Sequence, residues 1–224
     1  MKKALGFCFF NCVNEINRSL GDINDPKAIC NNVDYIIGIE GRFQDLDYPT
    51  NHSTDGSIEA FLKYPNAILY KLMGTEIEKR NKYLEIAAEE KCDYAITWDS
   101  DEFLLPEYRD WDRFHRELEK HKEDGLLCLW GLISPDWVKL GYRVIVPVWN
   151  MYPRIIKDPG SCEFARTHWM VFKKDARNYM TTTTAIDGIR FSMDSLLRDP
   201  KFMVAKEKYM KWNYEQEQKR IATL

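Results

Sequence analysis

The sequence predicts an α/β fold in which a mostly parallel sheet is flanked by helices, in the doubly wound, Rossmann-like manner. Three observations carry this. Short apolar runs recur at residues 4–10, 35–39, 67–72 and 94–98. Polar or helix-patterned stretches separate them, and strands that alternate with helices pair in parallel. The chain has 224 residues, of which 45% are hydrophobic and 30% charged, enough to bury a substantial core.

Each element has its own signal. Residues 4–10 are apolar and stop at Asn11, with Asn14, Glu15 and Asn17 close behind. The run is too short for a secretory leader and reads as a buried first strand. A helix is expected around 26–31, then a strand at 35–39 that closes on Glu40-Gly41. Residues 42–55 are polar, contain Pro49, and read as a loop. A short helix at 57–63 and a strand at 67–72 follow. The clearest helix spans 75–90: Thr75 and Glu78 form a capping box, and Ile77, Leu84 and Ala88 supply an apolar stripe. Residues 94–98 then form a fourth strand.

The second half is patterned differently. A charged amphipathic helix is expected at 112–124, stopped by Gly125. Strand-like runs lie at 126–130, 144–148 and 168–172. Asp199-Pro200 is a helix start, and that helix is expected to reach about residue 220. With no repeat and no low-complexity linker, 1–224 reads as one domain. Its halves are 1–105 and 106–224, the latter ending in the helix.

Composition excludes some classes. The net charge of −3 gives no whole-chain attraction to nucleic acid or an anionic membrane. No stretch approaches a membrane span. The six cysteines are scattered without CxxC spacing, which argues against a zinc site or a disulfide framework and for a reducing, cytoplasmic setting. No Walker loop or GxSxG elbow is present.

The chemistry concentrates in residues 92–104, Cys-Asp-Tyr-Ala-Ile-Thr-Trp-Asp-Ser-Asp-Glu-Phe-Leu. Asp99, Asp101 and Glu102 follow directly on an apolar strand. Acids this close repel unless a cation compensates. Hard cations such as Mn²⁺ or Mg²⁺ prefer oxygen ligands and can bridge a diphosphate leaving group. The plainer alternative is that the acids solvate a strand end or cap the next helix.

In this context the chain resembles the GT-A glycosyltransferases, in particular their family-two-like branch. The resembling pieces are Val13-Asn14-Glu15 after the first strand, Glu40 ending the second, Lys79-Arg80-Asn81 in the helix, and Trp98-Asp99-Ser100-Asp101-Glu102-Phe103. They cover about the first 105 residues. The resemblance implies a GT-A fold with 1–105 as the nucleotide-sugar half and 106–224 as the acceptor half. It implies a nucleoside diphosphate-sugar donor, UDP-linked first of all, a hydroxyl acceptor, and Mn²⁺ or Mg²⁺. Asp101 would be the main metal ligand. Asp99 would reach the ribose, or the metal through water. Glu40, where the family has Asp, would read the base or ribose, and Asn14, Glu15, Arg80 and Asn81 would line the donor site. In the late segment 189–194, Asp194 would be a further ligand, and Arg198 would neutralise diphosphate.

Other candidates stand in the second half. His168 is either a metal ligand or a histidine bonded to backbone. A general base for an acceptor hydroxyl would be Asp136, after Ser134-Pro135, or Glu163, near Pro159-Gly160. Both residues also have bland readings, as a turn cap and a solvent-facing acid. Trp137 and Trp149 are candidates for stacking on sugar, Trp130 for core packing. Residues 181–184 are either a lid or a surface connection. His115 and His121 read as solvated. Two other functions remain open: a sugar nucleotidyltransferase, whose Gly-rich, Lys-containing N-terminal loop is missing here, and a catalytically idle module that binds glycan or a partner.

Overall fold

The computed structural model describes residues 1–44, 46–121, 126–133, 148–165, 171–174 and 184–193, together with 205 and 208. In chain order the elements are β1 (Lys3–Phe9), α1 (Val13–Leu20), β2 (Tyr35–Glu40), α2 (Ser57–Phe61), β3 (Ala67–Lys71), α3 (Glu76–Glu89), β4 (Tyr94–Asp99), β5 (Glu102–Arg109), α4 (Trp111–Lys120), β6 (Leu126–Ile133), β7 (Val148–Lys157), β8 (Cys162–Phe164), β9 (Val171–Lys173) and β10 (Ala185–Met193). The predicted α/β class with a mostly parallel sheet is what the chain adopts. Eight strands form one sheet in the order β3-β2-β1-β4-β7-β6-β10-β5. Among the described residues, four of its seven pairings are parallel, namely β1–β2, β1–β4, β2–β3 and β6–β10. The antiparallel pairings, β4–β7, β6–β7 and β5–β10, all involve strands of the differently patterned second half.

β1 shows why the sheet is covered on both faces. Leu5, Phe7 and Phe9 enter one core with Ile16, Leu20, Phe61, Trp98 and Phe114. Ala4 and Cys8 enter a second core with Tyr83, Leu84 and Ala87 of α3. Alternation along a strand sends successive side chains to opposite faces, so a strand sandwiched between helices is apolar throughout. The same alternation in β4 puts Tyr94, Ile96 and Trp98 in the first core and Ala95 in the second, and so turns Thr97 and Asp99 toward α3.

α3 approaches β1 closely because Gly6 has no side chain. A Cβ there would stand 2.4 Å from the Tyr83 ring. Tyr83 is fully buried, and its hydroxyl reaches Thr97 Oγ1 at 3.4 Å. Gly6→Ala must displace the ring or the helix, and overpacking of this kind costs about 1–3 kcal/mol. A chemical-denaturation midpoint unchanged from the native protein would show that the ring moves freely.

The predicted capping box is formed. Glu78 N–H donates to Thr75 Oγ1 at 3.2 Å, and Thr75 N–H donates to Glu78 Oε2 at 2.7 Å. Several expectations shift. Residues 13–20, for which no element was expected, are helix α1. β5 and β10 carry no strand signal that the sequence reading recognised. Of the strand expected at 144–148 only Val148 is described, and it opens β7, which runs over Val148–Lys157. Residues 26–31 give only a 3₁₀ turn at Ile29–Asn31. His115 is half-buried against Trp111 and Phe114 rather than solvated. Trp130 is half-buried on β6. Ala205 and Lys208 are helical, as the predicted last helix requires, and Ala205 packs with Phe10 and Leu46. Among the described residues, no helix is long and apolar enough to cross a membrane. All six cysteines are buried free thiols.

Candidate functional site

β2 and β3 lie to one side of β1, and β4 lies to the other. The order therefore reverses between β1 and β4. In open α/β sheets ligands bind beyond the carboxyl ends of strands flanking such a reversal. Two segments meet there: Phe10-Asn11-Cys12 after β1, and the Ser100-Asp101 turn after β4.

The first segment is locked to the loop after β2. Asn11, at φ 45°, occupies the left-handed region that Asn tolerates better than most residues. Its N–H donates to Ser53 Oγ at 2.9 Å, and its Oδ1 accepts from Thr54 N–H at 3.0 Å. Cys12 N–H donates to Ser57 Oγ, and Val13 N–H to Asp55 Oδ2. Glu40, fully buried at the end of β2, accepts from Ser53 N–H at 2.7 Å and lies 2.8 Å from His52 Nδ1. Both Glu40 oxygens thus brace this loop, where the resemblance would have them read a base or ribose.

Lys79 supports the same loop from α3. It is fully buried, donates to the Gly41 carbonyl, and lies 4.3 Å above the Phe43 ring. Burial drives its pKa down to about 8. The unfolded chain keeps that proton to about 10.4. Between these values the unfolded state binds more protons, so this group makes folding more favourable as pH rises through the window. Comparing unfolding free energies of the native protein and Lys79→Met at pH 7.5 and 10 should show the smaller rise in the variant.

The acid turn is built into a buried charge network. Arg80, 2% exposed, sets Nη2 2.6 Å from Asp99 Oδ1 and 2.8 Å from Glu76 Oε1. Tyr83, seated on Gly6, accepts from Arg80 Nη1 at 3.4 Å. On the other side Arg154 of β7, 3% exposed, pairs with Glu102 and stands 3.6 Å from Asp99 Oδ2. Glu102 Oε2 also accepts from Asp99 N–H at 3.0 Å. Burial pushes the Glu102 carboxyl up, and the Arg154 guanidinium opposes it. Ser19 of α1 ties in the strand end, accepting from Trp98 Nε1 at 3.0 Å and donating to the Asp99 carbonyl at 3.3 Å.

The structure therefore brings together Arg80, Asp99 and Asp101, with Glu15 buried and Asn14 exposed on nearby α1. It places two predicted residues elsewhere. The Asn81 amide clamps β8, accepting from Phe164 N–H at 2.7 Å and donating to the Phe164 carbonyl at 2.9 Å, so it staples α3 to β8. Glu163 is exposed, while its neighbours Cys162 and Phe164 turn inward. Phe164 is the side facing Arg80, at 5.8 Å from ring centroid to Cζ, so strand alternation points Glu163 away from the acids. Asp136, His168, Asp194 and Arg198 lie outside the described residues, as do Trp137 and residues 181–183. β10 ends at Met193, the register partner of Glu102.

Among the described residues no three His, Cys, Asp or Glu converge as a ready-made metal cage. Asp99 turns its two oxygens toward arginines. Asp101, half-buried in the turn, supplies a carboxylate beside it. A Mg²⁺-type ion held by one or two carboxylates, waters and substrate phosphates needs no more from the protein. The described donor set, Asp101 beside an arginine-held Asp99, fits that kind of site. Arg154 escaped the sequence reading because a single arginine after a proline gives no motif.

No known family profile and no curated sequence matches the chain. The chain is similar to the following solved structures. S. aureus TarS 1–349 is 16% identical at a TM-score of 0.46, covering 70% of this chain and 47% of that one. The TarS 1–349 complex with UDP is 15% identical at 0.40, covering 60% and 37%. The complex with UDP-GlcNAc is 16% identical at 0.40, covering 60% and 36%. The chain spans less than half the length of each.

Proposed function

We propose that the chain is a GT-A-type glycosyltransferase that takes a sugar from a nucleoside diphosphate-sugar, UDP-linked first of all, to a hydroxyl acceptor. The observation that carries this reading is the position of Asp99-Ser100-Asp101. The turn closes an interior strand, parallel to β1, at the point where strand order reverses, and buried arginines hold its first carboxylate in place. An acidic turn that merely solvated a strand end would need no such support.

In this reading Asp101 holds Mn²⁺ or Mg²⁺ at the donor diphosphate, and Asp99 anchors the turn. The ion supplies neutralisation of the charge that develops on the diphosphate as it leaves. The braced loop from Arg42 to Asp55 walls the ends of β1 and β2, where the nucleoside would lie. His168 and Asp194 are proposed as further ligands, Arg198 as a diphosphate contact, and Asp136 in preference to Glu163 as the base for the acceptor hydroxyl.

A thermal-shift screen of nucleoside diphosphates and their sugars, with and without Mn²⁺, tests this. A ligand at a hundred times its dissociation constant adds about 2.7 kcal/mol to stability. Metal-dependent stabilisation by one nucleotide is expected and would name the donor class. A flat response to every nucleotide with Mn²⁺ present would refute the reading.

A further inference from the structure

Arg154 reaches the acid turn from a strand that ought not to supply a charge. β7 is interior to the sheet, between β4 and β6. Pro153 lacks an N–H, and proline inside a sheet is confined to edges and bulges. The β6–β7 register breaks at this point. Leu127 faces Ile155 and Cys128 faces Pro153, which leaves Arg154 as the extra residue. A bulge re-aims the side chain it carries. Here the guanidinium pairs with Glu102 and stands 3.6 Å from Asp99 Oδ2, while Glu102 accepts from Asp99 N–H. Arg154, Glu102 and Asp99 thus close a loop of contacts around the two-residue turn that contains Asp101.

We infer that Arg154 is a positioning residue for donor binding: it clamps both ends of the Asp99–Glu102 turn and so fixes where Asp101 presents its carboxylate. This rests on reading the turn as the nucleotide-sugar site. The competing role is charge balance alone, with Arg154 serving only to neutralise buried Glu102. The two differ in what lysine can replace. Lysine restores the charge, but its point ammonium lacks the rigid fork that spans two carboxylates. Outer groups that orient a ligating residue are worth about 10–100-fold in metal affinity.

The test measures affinity for UDP and for GDP with Mn²⁺ by calorimetry, beside thermal unfolding, in Arg154→Lys and in the charge-free pair Arg154→Met/Glu102→Gln. Both variants are expected to keep a cooperative unfolding transition and to bind nucleotide with Mn²⁺ at least about tenfold more weakly than the native protein. If lysine prevents folding, the charge-free pair decides the matter alone. Native-like affinity in either folded variant, or affinity that follows unfolding temperature across the series, reduces Arg154 to charge balance and overturns the inference. A native protein that binds neither these nor any other nucleoside diphosphate with Mn²⁺ overturns the functional reading, and this inference with it.

Discussion

Asp101→Ala is expected to abolish Mn²⁺-dependent nucleotide binding and to cut sugar transfer by about 10²–10³-fold or more, while the protein stays folded. The fold should tolerate the change because Asp101 is only half-buried and stands in a turn, outside the β4 and β5 ladders. Its neighbours Asp99 and Glu102 hold the arginines, so removing Asp101 leaves the buried network with its pairs. The loss should therefore appear in calorimetry with Mn²⁺ and in donor hydrolysis, with the unfolding temperature close to native. Asp101→Asn should behave in the same direction, since a neutral amide keeps the shape and loses the charge. Transfer retained by Asp101→Ala in excess Mn²⁺ would remove Asp101 from the site.

How far this site was legible in the sequence depends on how local its determinants are. The first hundred residues alternate apolar and polar segments because β1, β2 and β4 are covered on both faces and the helices between them on one. Thr75 with Glu78, and the acids after Trp98, could therefore be read directly. α1 was harder to see. Asn14, Asn17 and Arg18 obscure the stripe made by Ile16 and Leu20, yet those two apolar residues are fully buried. β5 and β10 are strands because they pair with each other, with Phe191 opposite Leu104 and Met193 opposite Glu102, and pairing across some ninety residues leaves no local pattern. β7 contains Pro153 and Arg154, which argue against a central strand until the bulge is known. The partners of Asp99 come from two such distant elements. Arg80 was legible through the resemblance of Lys79-Arg80-Asn81, as a residue of the donor site. That it answers Asp99 emerges only when alternation along β4 turns that carboxylate toward α3.

Arg80→Ala tests the other half of the network and is expected to cost about 3–5 kcal/mol of folding stability. The guanidinium lies 2.6 Å from Asp99 and 2.8 Å from Glu76, with its side chain 3% exposed and that of Asp99 28% exposed. Deleting one member of a buried pair leaves the other desolvated without its counter-charge, which costs more than the pair contributes. Native proteins hold only about 5–15 kcal/mol in all, so the variant should unfold well below the native temperature. Asp99→Asn alone should cost less, because Arg80 retains Glu76 and Tyr83. Combining Arg80→Ala with Asp99→Asn should destabilise by less than the sum of the two, by about 0.5–3 kcal/mol, since the second change removes the charge that the first strands. Strict additivity would mean that Arg154 and solvent satisfy Asp99 without Arg80, and a cost below about 1 kcal/mol for Arg80→Ala would place the pair with exposed ion pairs. A coupled result ties the stability of α3 on the sheet to the carboxylate that anchors the acid turn, so that the fold and the site share one electrostatic contact.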